Sequence, residues 1–222
     1  MIDAKIRVFQ HYPLRSDDPQ AWRTVGPSAV PFAPDWPAPK AAGRDDLARL
    51  RRAFVDAAAR ALRAGFDLVE LHCAHGYLLH EFLSPLANQR TDEYGGSLQN
   101  RMRLALEVFA EVRKVWPDDK PLGMRVSATD WVDGGWNPEE TVALARELKA
   151  AGCDYLDVSS GGLDGRQKIP LSPGYQVPFG EKVRKETGIK TMSVGLIADP
   201  RAAEEIIASG KADFVVLGRA IM

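Results

Sequence analysis

Two histidines three positions apart, His72 and His75, followed by Tyr77, form the most chemically suggestive pattern in this sequence of 222 residues. Two imidazoles can donate hydrogen bonds to one oxygen, and a phenol can transfer a proton. The trio therefore suits a reaction that builds charge on an oxygen and needs a proton delivered beside it. The same residues also fit the plainer reading of two loop histidines with structural hydrogen bonds. His-x-x-His can also chelate a metal, but this pair lies on no helix and lacks an obvious third ligand, so no metal is expected.

Further along, Arg125 sits in the middle of an apolar run. An arginine aimed into a core is costly unless it meets an anion or a polar ring. It has two candidate explanations: a bound electron-rich group, or an ion pair with Glu70 or Asp157. Three later runs end in Ser159-Ser160-Gly161-Gly162, in Val194-Gly195 and in Gly218-Arg219. Glycine lets backbone amides approach a ligand closely, and Arg219 could pair with a phosphate. Residues 88–101 hold Arg90, Asp92 and Arg101, read as a charged cluster that holds a loop, with Ser97 as the N-cap of the next helix.

These residues need elements to position them. Leu47, Leu50, Phe54, Val55, Ala58 and Leu62 recur at helical spacing, and Gly65 closes that helix. A short apolar strand follows over 66–71. The same order returns with helices at 98–115, 138–150, 178–187 and 200–208, and strands at 122–126, 154–158, 190–194 and 213–217. Short apolar strands alternating with helices predict a parallel α/β sheet. Sites in such folds form at the carboxyl ends of the strands. Alternation puts Glu70 and His72 on one face of the first strand, and Gly123, Arg125 and Ser127 on one face of the second. Alternating units of this kind give a doubly wound sheet or a TIM-type (β/α)8 barrel, and in the barrel five strands and five helices would be an incomplete set, with roughly three leading units missing.

Residues 1–42 carry seven prolines, at 13, 19, 27, 31, 34, 37 and 39. They predict an irregular covering segment, anchored by Trp22, Phe32 and Trp36, ahead of a barrel portion over 43–222. Net charge is −1 and composition is 45% hydrophobic and 27% charged, which argues for a globular chain and against nucleic acid or an anionic membrane as partner. The two cysteines, Cys73 and Cys153, form no disulfide framework and are expected to be buried. No apolar run is long enough for a membrane span, and no signal core stands at the N-terminus. A cytoplasmic chain is expected.

The stretch His72-Cys73-Ala74-His75-Gly76-Tyr77-Leu78-Leu79-His80-Glu81-Phe82-Leu83-Ser84-Pro85 and the segment Asn88 to Arg101 resemble the old yellow enzyme family. These are flavin-dependent ene-reductases on a (β/α)8 barrel. The His-x-x-His form is similar to the bacterial xenobiotic-reductase-like branch. Arg125-Val126-Ser127, Ser159-Ser160-Gly161, Pro173-Gly174-Tyr175-Gln176, Val194-Gly195 and Gly218-Arg219 match that branch in order. The resemblance covers roughly residues 21–222. It implies FMN held noncovalently, NADPH or NADH as reductant, and a small α,β-unsaturated carbonyl as substrate. It further implies that His72 and His75 bind the carbonyl oxygen or a phenolic anion, and that Tyr77 gives the proton. Arg125 would lie beside the flavin ring, with Ser159, Gly195, Gly218 and Arg219 around the phosphate. The family's first strands have no counterpart here, so the chain resembles a fragment, and its open edges predict self-association into a homo-oligomer. Two other readings are a non-catalytic remnant of such a barrel and a phosphate-binding barrel isomerase without flavin.

Overall fold

A computed structural model describes residues 24–33 and 36–218. Trp22 and Arg219 lie outside the described residues. The chain runs β1 (Val25–Gly26), β2 (Lys40–Ala41), α1 (Arg44–Arg63), β3 (Val69–Cys73), α2 (Leu78–Leu83), α3 (Leu98–Arg113) and β4 (Leu122–Ser127). It continues through α4 (Pro138–Ala150), β5 (Tyr155–Ser159), α5 (Val177–Thr187), β6 (Lys190–Ser193), α6 (Pro200–Ala208) and β7 (Phe214–Val215). Strands β3 to β7 form one parallel sheet in chain order. β1 and β2 pair separately, also in parallel.

The core lies between this sheet and α3 and α4. Leu122, Met124 and Val126 alternate on one face of β4 and are fully buried, as are Leu104, Val108, Phe109 and Val112 of α3 and Leu144, Ala145 and Leu148 of α4. Their helical spacing is what turns each helix onto the sheet. Ser97 caps α3 by accepting from Asn100 N, and Asn137 caps α4 by accepting from Glu140 N. A smaller cluster of Val177, Ile197, Ile206 and Ala212 closes the end beside α6.

Several sequence expectations are corrected. The first strand begins at Val69, not at Phe66, because Val69 is the first residue with a partner, Leu122, on β4. Phe66 and Leu68 are exposed instead. The last strand shrinks to Phe214–Val215, which pair with Met192 and Ser193 at the end of β6. α2 was not expected, although Leu79, Phe82 and Leu83 are buried at helical spacing. Phe32 and Trp36 do not anchor the proline-rich segment in the core. They are exposed and pack on each other, with ring centroids 5.1 Å apart. Arg90 holds that segment, donating to Pro27 O at 3.0 Å and Ala42 O at 2.7 Å. Gln89 N adds a bond to Ser28 Oγ at 3.0 Å.

The expected cluster of Arg90, Asp92 and Arg101 divides in two. Arg90 pairs with Asp92 at 2.5 Å, whereas Arg101 faces inward from α3, pairs with Glu140 at 2.5 Å and donates to Leu83 O. Among the described residues, no helix is long and apolar enough to cross a membrane.

Candidate active site

Pleat and register build the first layer. On β3, Leu71 and Cys73 are buried against the helices, which leaves Glu70 and His72 on the opposite face. His72 is in register with Arg125 on β4, and Arg125 with Asp157 on β5. The three side chains therefore stand in one row across the sheet. Arg125 Nε lies 3.2 Å from Asp157 Oδ2, so of the two candidate partners the ion pair forms with Asp157. Burial pushes the Asp157 carboxyl up, and the adjacent guanidinium pulls it back. Asp157 Oδ1 is buried without a hydrogen-bond partner.

Above this row the chain leaves β3 through a tight turn over residues 74–77. Tyr77 N donates to Ala74 O at 3.2 Å, and the two central residues are left-handed, His75 at φ 59° and Gly76 at φ 76°. That is a type I′ turn, which favours glycine at its second central position. His75 N donates to Ser127 Oγ at 3.0 Å, and Ser127 Oγ donates to Gly161 O at 2.8 Å. The His75 Nε2 lies 2.7 Å from Ser159 Oγ. As a result the His72 and His75 rings sit 5.3 Å apart, and the His72 and Tyr77 rings 5.1 Å apart. Tyr77 is 42% exposed, so its phenol reaches solvent at the rim.

Burial, followed by the Arg125 charge, lowers both imidazoles. His75 is pushed down to about 4, and His72 moves the same way. Both rings are therefore neutral at pH 7, and each carries one N–H donor. The arrangement can hold an electron-rich oxygen between two neutral donors, with a hydroxyl at its edge. Among the described residues no group of three or more His, Cys, Asp or Glu side chains is placed to hold a metal.

The remaining expected site residues divide between packed and open positions. Ser159 Oγ lies 2.7 Å from His75 Nε2 and 3.3 Å from Gln176 Oε1; with its one proton in the shorter bond, the N–H of His75 is on Nδ1 and free for a ligand. Gln176 accepts from Ser160 Oγ at 2.6 Å and donates to Val194 O at 3.2 Å. Gly195 has φ 127°, and a Cβ there would press on Gln176 and Tyr175. Gly218 faces open space, and Arg219 lies outside the described residues. Because β6 and β7 are adjacent and parallel, Gly195 and Gly218 follow strand ends on the same side of the sheet. A guanidinium on the open face and glycine backbone beyond the last two strands are donors of the kind a flavin ring and its phosphate need. These residues fit FMN.

Spacing alone does not point to His80, Asp130 or Gln176, and it places Ser127 on the Arg125 face without giving it a role. Each touches the turn or the loops beside it. The usable signal lay in polar residues at buried helical or strand positions, namely His80 in α2 and Ser127 at the end of β4.

Residues 16–222 match the family described as NADH:flavin oxidoreductase / NADH oxidase. The chain is 47% identical over 198 residues to the NADPH dehydrogenase of Geobacillus thermodenitrificans (strain NG80-2), an alignment covering 89% of this chain and 57% of that protein. It therefore spans little more than half the length of this relative. Among solved structures, the 2-naphthoyl-CoA reductase complex with 2-naphthoyl-CoA superposes with TM-score 0.81 at 28% identity, over 87% of this chain and 30% of the other. The old yellow enzyme homologue from Zymomonas mobilis superposes with TM-score 0.74 at 27% identity, over 89% and 57% of the two chains. The parallel βα units are thus consecutive units of a (β/α)8 barrel.

Proposed function

Because the chain belongs to the NADH:flavin oxidoreductase / NADH oxidase family, we propose that it carries the substrate-binding part of an FMN-dependent reductase acting on the C=C bond of α,β-unsaturated carbonyl compounds. The observation that carries this reading is the turn over 74–77, which gathers His72, His75 and Tyr77 at the mouth of the sheet above Arg125. Arg125 would hold the ring of FMN, and Ser159, Gly195, Gly218 and Arg219 its phosphate side. Bound FMN supplies the hydride chemistry, between NADPH or NADH on one side and the alkene on the other.

His72 and His75 hold the substrate oxygen. Their donors oppose the negative charge that grows there as the β-carbon is reduced. Their lowered pKa values keep both rings neutral, so the oxygen receives hydrogen bonds without being protonated outright. Tyr77 delivers a proton to the α-carbon from the rim. Ser127 and Ser159 fix His75 from its backbone and its ring.

We also infer that the chain self-associates and works in the cytoplasm. Among the described residues β3 and β7 have no neighbour on their outer edges, and Phe66, Leu68 and Phe214 are exposed beside them. Both cysteines are free and buried. Titration with FMN, followed by anaerobic mixing with NADPH and then an enone, tests the function. Binding with alkene reduction supports it, and a chain that leaves FMN free in solution overturns it.

A further inference from the structure

His80 has no part in that chemistry, yet it is fully buried, hydrogen-bonded at one ring nitrogen and in close contact with a carboxylate at the other. Its Nδ1 accepts from Gly76 N at 2.9 Å. Its Nε2 lies 2.8 Å from Asp130 Oδ1. Asp130 is also fully buried, and its Oδ2 accepts from Ser84 Oγ at 2.6 Å and from Trp136 N at 2.7 Å. With Gly76 donating to Nδ1, the His80 proton sits on Nε2, close beside the Asp130 carboxylate but outside hydrogen-bond geometry.

The bond it accepts is well placed to matter. Each of the three amides of 75–77 is tied down: His75 N to Ser127, Gly76 N to His80 and Tyr77 N to Ala74. His75 is left-handed at φ 59°, a conformation unfavourable for a residue with a side chain. Such a backbone persists only where its surroundings hold it. His80 supplies the middle of those three ties, from a short helix that begins one residue after Tyr77.

We propose that His80 is a positioning residue: its unprotonated Nδ1, in a ring packed against Asp130, sets the angle at which the turn presents His75 and Tyr77. The proposal rests on the reading of that turn as the oxygen-binding and proton-delivering part of the site. It assigns a role to the acceptor nitrogen rather than to the bulk of the ring, and this distinguishes it from simple core filling.

Two substitutions separate the nitrogens. His80→Asn keeps an acceptor near the place of Nδ1 and gives up the reach to Asp130. His80→Gln keeps the reach to Asp130 and leaves the Gly76 amide without its acceptor. In the full chain, phenol affinity should stay within about twofold of the parent in His80→Asn and fall about five- to tenfold in His80→Gln, the loss of one hydrogen bond. Hydrogen exchange at the Gly76 amide should quicken in His80→Gln only. Nitrogen NMR of the parent should show the proton of His80 on Nε2. Equal phenol affinity and equal exchange in the two folded variants would overturn the proposal, and so would a proton on Nδ1 in the parent. If the parent binds no phenol, the oxygen-binding reading fails on its own. The exchange comparison and the parent's nitrogen spectrum then still decide what His80 does.

Discussion

Gly76 and Gly162 meet backbone to backbone. A Cβ on Gly76 would collide with the Gly162 carbonyl, and a Cβ on Gly162 would collide with the backbone of His75. The loop after β5 is thereby seated directly on the turn after β3. Gly134 offers a control, since it has a similar φ of 75° but nothing within 4 Å of a Cβ. Gly134→Ala should therefore show only the left-handed penalty, about 1 kcal/mol. Gly76→Ala adds a clash with main chain that cannot swing away, and should destabilise by roughly 3 kcal/mol or more. Urea midpoints of the two variants give the comparison. Equal losses would mean that the two loops are not in contact.

His75→Ala should weaken phenol binding by about ten- to a hundredfold, the cost of a strong hydrogen bond to an anionic oxygen. In turnover of an enone the loss should be on the order of 10²–10³, as for other oxyanion donors. His72→Ala should behave alike, because the two rings stand 5.3 Å apart over one space. A phenol titration of each variant checks this. Unchanged affinity in either would remove that histidine from the pair.

Tyr77→Phe should slow the half-reaction with enone by about 10²–10⁴ and leave reduction by nicotinamide nearly unchanged. Only the enone half needs a proton delivered to carbon. Stopped-flow measurement of the two halves decides it, and equal slowing would count against a proton-donor role.

The lowered pKa of His75 makes a signed statement about stability. Its folded value is about 4 against 6.5 for the free side chain. Above pH 6.5 both folded and unfolded chains hold it neutral, so it adds no pH dependence. As pH falls from about 6.5 to about 4, the unfolded chain takes up a proton that the folded chain refuses, and stability declines. Below about 4 both are charged and this contribution levels off. His75→Gln should flatten the decline in urea midpoint between pH 7 and pH 4.5, and a slope as steep as the parent's would show that His75 titrates normally.

The chain should run in gel filtration with light scattering at a mass above its monomer value of 24.4 kDa. Among the described residues the outer edges of β3 and β7 have no strand partner, and Phe66 before β3 and Phe214 in β7 are exposed. A monodisperse monomer would remove the inference of self-association.

The sheet was legible from the sequence because apolar alternation is local. Leu122, Met124 and Val126 face the helices, which puts Arg125 on the other face with no structural information needed. The position of His72 followed from the same rule. Strand ends were less legible, since where pairing starts depends on the neighbour: Phe66 to Leu68 have apolar side chains at 66 and 68 but nothing to pair with. The proline-rich segment misled for a related reason. Phe32 and Trp36 look like anchors by type, while the fastening is polar: one guanidinium on two distant carbonyls, the Gln89–Ser28 bond and the β1–β2 pairing. The link from His80 to Gly76 and Asp130 was equally hidden, because Asp130 is 50 residues away in sequence and the contact exists only once β4 lies beside β3.

That fastening by Arg90 has a consequence for how the chain tolerates change. Pro27 and Ala42 are held to one side chain, and Lys40 N and Ala42 N are bonded to Thr24 O and Gly26 O at 2.9 Å each. These bonds draw the ends of the stretch together into a closed neck, and Phe32 and Trp36 between them are exposed. The entropy of closing such a loop grows only with the logarithm of its length, about 0.6 kcal/mol for each doubling. Residues can therefore be inserted or exchanged around Phe32 and Trp36 at small thermodynamic cost, while Arg90→Ala would remove the side-chain tie between Pro27 and Ala42 and leave the β1–β2 pairing to close the neck. Exposed Phe32 and Trp36 mark a natural point for grafting a peptide or a label.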